Sequence, residues 1–153
     1  MDVHYQEFEN GLELVATELP SAQSVSIGIF AKVSLSQEDK RFTGIAHFLE
    51  HMCFKGTPTR SAKQISEEVD TMGGIINAHT TKEYTCYYIT VLPHFKEKAF
   101  DILADIYLNS HCRQSELSLE RQVVLEEIKM YEDTPDEMVH DIFSQTVYGD
   151  HAL

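Results

Sequence analysis

A chain of 153 residues with 42% apolar side chains is long enough for one domain with its own core and too apolar for a disordered polypeptide. Its 12 Lys and Arg against 25 Asp and Glu give a net charge of −13, which argues against nucleic acid as a partner, since phosphate binding requires a basic surface. No apolar run approaches the roughly 18 residues of a membrane span, and the polar, acidic opening MDVHYQEFENG reads as no secretory signal.

Two strands are predicted first, in VHYQEFE and LELVATEL, around Asn10-Gly11, the dipeptide favoured by a tight hairpin turn. After a break at Pro20-Ser21, Val25, Ile27, Ile29, Ala31 and Val33 alternate with Ser24, Ser26, Gly28, Phe30 and Lys32. That period of two marks a strand with one buried face. Residues 34–41 are polar and read as a loop. From Thr43-Gly44, the residues Ile45, Phe48, Leu49 and Met52 form one apolar helical stripe, which should end near Lys55-Gly56. Ser61 and Gln64 form a capping box ahead of a second helix, in which Ala62, Ile65, Val69 and Met72 share a face and which Gly73-Gly74 stops.

Residues 75–79 and 84–92 are predicted strands around the polar turn 80–83, the second rich in Tyr, Thr, Ile and Val. Beyond Pro93 the pattern is helical. Phe95, Ala99, Ile102, Leu103 and Ile106 mark one helix, and Leu117, Val124, Ile128 and Tyr131 another, starting near Ser115 or Ser118. Thr134-Pro135-Asp136-Glu137 begins a third, with a cap, a Pro at the first helical position and two early acids. Strands and helices come in blocks, so the fold class is α+β with an antiparallel or mixed sheet in a single domain.

Eight His on so acidic a chain concentrate side chains of the metal-ligand type. His47-Phe48-Leu49-Glu50-His51 lies inside the first predicted helix. At about 100° per residue, the two imidazoles sit about 40° apart, one turn above each other, and Glu50 is about 60° from His47. Such a pair can bind one ion without bending the backbone, and Glu50 can reach a water on it. The apolar stripe is about 200° away on this arithmetic, so the helix is expected to bury one face and offer His-Glu-His on the other. Zinc favours neutral imidazoles, and a catalytic site takes three protein ligands and leaves one position for water. HxxEH is the inverted zinc-peptidase (inverzincin) motif, although alone it fits a solvated helix face equally well.

A third ligand is sought downstream. Glu120 and Glu127 are seven residues apart and only about 20° out of line on one helix, so both project from one face. That face also carries Val123, Val124 and Ile128, where a carboxylate would need a cationic partner. Glu126, one step round the helix, reads as solvated. Cys53, Cys86 and Cys112 are odd in number, form no CxxC and read as small buried hydrophobes of a reducing compartment. His4, His94, His111, His140 and His151 show no ligand spacing, and His79 reads as a surface residue.

In order and spacing, the segments NGL, GIAHFLEHMCFKGTPTR, MGG with INAHTTKEYTCYY, SLERQVVLEEIKMYEDTPDE and YGDHAL resemble the N-terminal part of the M16 metallopeptidases. This is the family of mitochondrial processing peptidase, insulin-degrading enzyme and pitrilysin, and the resemblance runs nearly the whole chain. It implies a half-domain with helices packed mainly on one face of the sheet. It also implies one zinc ion per chain, held by His47, His51 and Glu127, with Glu50 as the general base on a zinc-bound water. Glu120 would match the family's additional acid, which orients or tunes the site. Asn77 would lie on the edge strand that pairs with an extended peptide through main-chain hydrogen bonds.

The implied activity is that of a zinc-dependent endopeptidase acting on peptides or unfolded protein segments. Residues 1–153 would be its metal-bearing first part, with a homologous second half or a partner subunit missing. A homodimer is compatible with the resemblance. The expected location is the bacterial cytoplasm, with the mitochondrial matrix as the alternative. Two other readings remain open. One is a non-catalytic structural or targeting subunit of the same fold. The other is an enzyme of the S-ribosylhomocysteine lyase type, which uses HxxEH with a Cys as third ligand, here Cys112.

Overall fold

The computed structural model describes residues 2–33 and 35–149, so Ser34 of the expected loop and residues 150–153 of the YGDHAL segment lie outside the described residues. The element order is β1 (Val3–Glu7), β2 (Glu13–Thr17), β3 (Val25–Ala31), α1 (Ile45–Cys53), α2 (Ala62–Thr71), β4 (Ile75–Thr80), β5 (Thr85–Val91), α3 (Lys96–Asn109), α4 (Gln114–Glu132) and α5 (Pro135–Tyr148). The fold is α+β. Strands β3, β5 and β4 form one antiparallel sheet with β5 in the centre, while among the described residues β1 and β2 pair with each other alone. No described helix is long and apolar enough to cross a membrane.

Alternation along the strands decides which face is covered. Ile27, Ile29, Tyr87, Ile89, Val91, Ile76 and Ala78 point to one side of the sheet, where α3 supplies Ala99, Ile102, Leu103 and Ile106 and α2 supplies Ile65 and Val69. The four α3 residues are fully buried, and each buried Ile or Leu contributes about 1.5–3 kcal/mol. Ser26, Gly28 and Phe30 face outward, as in an antiparallel sheet with one face packed. The Ser61–Gln64 capping box is present as the sequence predicts.

Four local details refine the sequence reading. The first hairpin turns at Asn10-Gly11 as expected, through residues 9–11: Phe8 N–H donates to Leu12 O at 2.8 Å and Gly11 N–H to Phe8 O at 2.9 Å, while Asn10 Oδ1 accepts from Leu12 N–H at 3.2 Å. Helix α1 ends at Cys53, before Lys55-Gly56. Gly56 instead bridges to Ser61 at φ +116°, where a Cβ would meet Arg60 O at 2.9 Å. Helix α4 begins at Gln114, ahead of both candidate serines, and the Thr134 hydroxyl turns back to Met130 O rather than capping α5.

The α1–α2 connection is tied to α3 through Asp105, which is 7% exposed. Its Oδ2 accepts from Thr57 at 2.8 Å, Thr59 at 2.9 Å and Arg60 at 2.7 Å, and its Oδ1 accepts from Asn109 at 2.9 Å. Burial opposes the charge, but the bonds from Asn109, Arg60, Thr57 and Thr59 outweigh it and bring the pKa down to about 2. A carboxyl depressed in the folded state stabilises the protein above the unfolded pKa, and that contribution is lost as pH falls through the folded one. Asp105→Asn should therefore cost about 2 kcal/mol at pH 7. The deficit should shrink between about pH 4 and pH 2, as urea unfolding of both proteins at each pH will show.

Candidate metal centre

Helix α1 packs against α4 on one side and the end of β4 on the other. Its N-terminus is capped from upstream. Glu38 accepts from Gly44 N–H at 2.6 Å and Ala46 N–H at 2.8 Å, satisfying two of the first-turn donors that have no partner within the helix. The expected division of α1 into an apolar buried face and a polar exposed one is corrected here. Ala46, Glu50, Met52 and Cys53 are buried, whereas Ile45 and Leu49 are exposed. The reason is the neighbours: the face carrying Glu50 and His51 looks onto hydroxyl and carboxylate partners from β4 and α4, so polar side chains can be buried there.

His47, His51 and Glu127 each bring one ligand atom to a common point, all within 4.8 Å of one another. The Nε2 atoms of the two His lie 3.2 Å apart, and Glu127 Oε2 is 3.3 Å from His51 Nε2 and 3.9 Å from His47 Nε2. A tetrahedral zinc with bonds of about 2.0–2.1 Å holds its donors about 3.3 Å apart, so the three separations suit that ion. The imidazole rings meet edge to face, their centroids 4.7 Å apart. His47 and Glu127 are partly exposed, which leaves one side of the cluster open to solvent.

The second nitrogen of His51 fixes its orientation. Nδ1 lies 2.8 Å from Glu120 Oε1, and a carboxylate there accepts, so the ring proton belongs on Nδ1. In the neutral ring this leaves the Nε2 lone pair facing His47 and Glu127, an arrangement that calls for a cation. Glu120 is 4% exposed. Burial disfavours its charge, yet Lys55 and His51 together hold its carboxyl below the usual carboxylate range. Lys55 Nζ pairs with Oε2, the oxygen that His51 does not use.

Glu50 is 8% exposed and takes the Thr80 hydroxyl on Oε2 at 2.5 Å. Thr80 was expected in a polar turn, but it is the last residue of β4. The alternation Ile76, Ala78, Thr80 carries the signal for its inward orientation. No comparable local signal points to Lys55 or Glu38, whose partners lie across the fold or across a loop. Asn77 does not reach the cluster. It sits exposed on β4, at the edge of the sheet, and its Oδ1 accepts from Ala78 N–H at 2.8 Å. Cys112 is exposed and is absent from the cluster.

The sequence model of Insulinase (Peptidase family M16) matches residues 14–153. The uncharacterized zinc protease YmxG of Bacillus subtilis is 48% identical over 145 residues, covering 95% of this chain and 36% of that protein. An uncharacterized zinc protease of Rickettsia bellii is 46% identical over 147 residues, covering 96% of this chain and 36% of that one. The chain thus spans about a third of the length of these relatives. The crystal structure of a protease from Helicobacter pylori superimposes with a TM-score of 0.83 at 29% identity, over 90% of this chain and 33% of that one. A peptidase M16 inactive domain from Pseudomonas fluorescens shares the fold, with a TM-score of 0.85 at 15% identity over 99% of this chain and 37% of that one. With the relatives at 46–48% identity and the shared fold, the match over residues 14–153 establishes that the chain belongs to the insulinase family of peptidases, M16.

Proposed function

We propose that this domain carries the metal centre of a zinc-dependent endopeptidase that hydrolyses extended peptides or unfolded protein segments. The observation that carries the reading is the convergence of His47, His51 and Glu127 on one point, with the buried Glu50 one residue before His51 on the same helix. Zinc, when bound by those three residues, supplies Lewis acidity that acidifies water and polarises the scissile carbonyl.

The chain's own residues supply the proton transfers. Thr80 holds Oε2 of Glu50, leaving Oε1 to take a proton from the attacking water. Glu50 then returns that proton to the amine nitrogen as the C–N bond breaks. Glu120 keeps His51 in one tautomer throughout.

The edge of β4 supports an extended substrate. Thr81 N–H bonds to Tyr84 O at 2.8 Å, so alternate residues Ile75, Asn77 and His79 face β5 with their main-chain groups. Ile76, Ala78 and Thr80 therefore turn theirs to the free edge, ready for a peptide strand. In this reading Asn77 covers the Ala78 N–H until substrate takes it. The remaining two thirds of a longer enzyme, or a partner subunit, would close over this edge. Three free cysteines support a reducing compartment, for which we propose the bacterial cytoplasm.

A non-catalytic role has the Pseudomonas fluorescens neighbour in its favour, but that likeness concerns the fold, which does not determine activity. The three converging ligand atoms and the buried carboxylate of Glu50 favour the enzyme. Full-length protein stripped with a chelator should lose cleavage of an unfolded polypeptide and regain it with one equivalent of zinc. Undiminished cleavage by the metal-free protein would overturn the reading.

A further inference from the structure

Lys55 sits two residues past the end of α1, on the turn made by its own N–H bonding to Met52 O at 3.1 Å. There its side chain leaves the helix line and crosses to α4, where Nζ meets Glu120 Oε2. Glu120 thus receives one donor on each oxygen, from two directions: Lys55 on Oε2 and His51 Nδ1 on Oε1. Its side chain is 6% exposed, so water is poorly placed to substitute for either donor. A carboxylate held by one donor can turn about its last torsion, whereas one held at both oxygens is fixed in plane. An exposed ion pair would do little here, but this one is buried at its acidic end and continues directly into a candidate metal ligand.

From this geometry we infer that Lys55 is a positioning residue of the metal centre. It locks the Glu120 carboxylate so that Oε1 stays on His51 Nδ1–H and His51 keeps Nε2 aimed at the ion. The inference rests on the zinc reading only for what His51 binds; the lock itself is a property of the metal-free protein. Partners that orient a metal ligand from behind typically change affinity by about 10–100-fold when removed. Lys55 stands one bond further back, so the lower end of that range is expected.

The test uses the full-length protein with 15N-labelled histidine. In the metal-free wild type, His51 should be the Nδ1–H tautomer. In Lys55→Met it should become a mixture of tautomers, and zinc affinity measured by chelator competition should fall about tenfold. Lys55→Arg, which keeps a cationic donor, should retain both properties, and amide chemical-shift dispersion of each variant verifies that it folds. A Lys55→Met protein that keeps the Nδ1–H tautomer and binds zinc within about twofold of wild type overturns the inference, whatever its melting temperature. Equal impairment by Arg and Met overturns it as well. Absence of zinc binding by the wild type would instead sink the peptidase reading, and the tautomer in Lys55→Met would still decide the role of Lys55.

Discussion

Glu50→Gln should lower peptide turnover by about 10²–10⁴-fold while zinc content stays near that of the wild type. Glutamine keeps the shape of the side chain, and its carbonyl can still accept the Thr80 hydroxyl that Glu50 now holds at 2.5 Å. The amide nitrogen then occupies the place of the second oxygen and cannot take a proton from water. Glu50 is buried and is not one of the three converging ligand atoms, so removing its charge should leave both fold and metal binding intact. Turnover and zinc content measured on the same preparation separate the two effects. Full residual activity would remove Glu50 from the mechanism.

The second large effect concerns metal affinity. Glu127→Ala should weaken zinc binding by more than the roughly 100-fold expected for an outer partner, because it deletes one of three donors. Cys112→Ser should leave affinity unchanged, since Cys112 is exposed and lies outside the cluster. The pair of variants separates the peptidase reading from the lyase type, in which the cysteine would be the third ligand. The opposite pattern, with zinc lost on replacing Cys112 and kept without Glu127, would decide for the lyase type.

Local periodicity made much of this legible from the sequence. The α3 stripe, the alternation in β3, the Ser61–Gln64 box and the His-Glu-His spacing all depend on neighbours within a few residues, and each is present in the structure. The inward face of α1 was not legible in the same way. Apolar periodicity points Ile45 and Leu49 to the core, yet both are exposed while Glu50 is buried. What reverses the expectation is a set of polar partners far along the chain, Thr80 for Glu50 and Glu120 for His51. The same limit hid Lys55, whose partner is on α4. The turn at Asn10-Gly11 was legible because it too is local: Gly11 takes a positive φ and its N–H bonds to Phe8 O at 2.9 Å.

The three candidate donors come from two helices, His47 and His51 on α1 and Glu127 near the end of α4. On the ribosome, α1 emerges well before α4, with α2, β4, β5 and α3 made in between. Until α4 arrives, the growing chain offers an ion two imidazoles and no third anchor. The order of synthesis therefore places the third donor late. The three-donor site is thus one of the last features of this domain to be completed, after the strands of its central sheet.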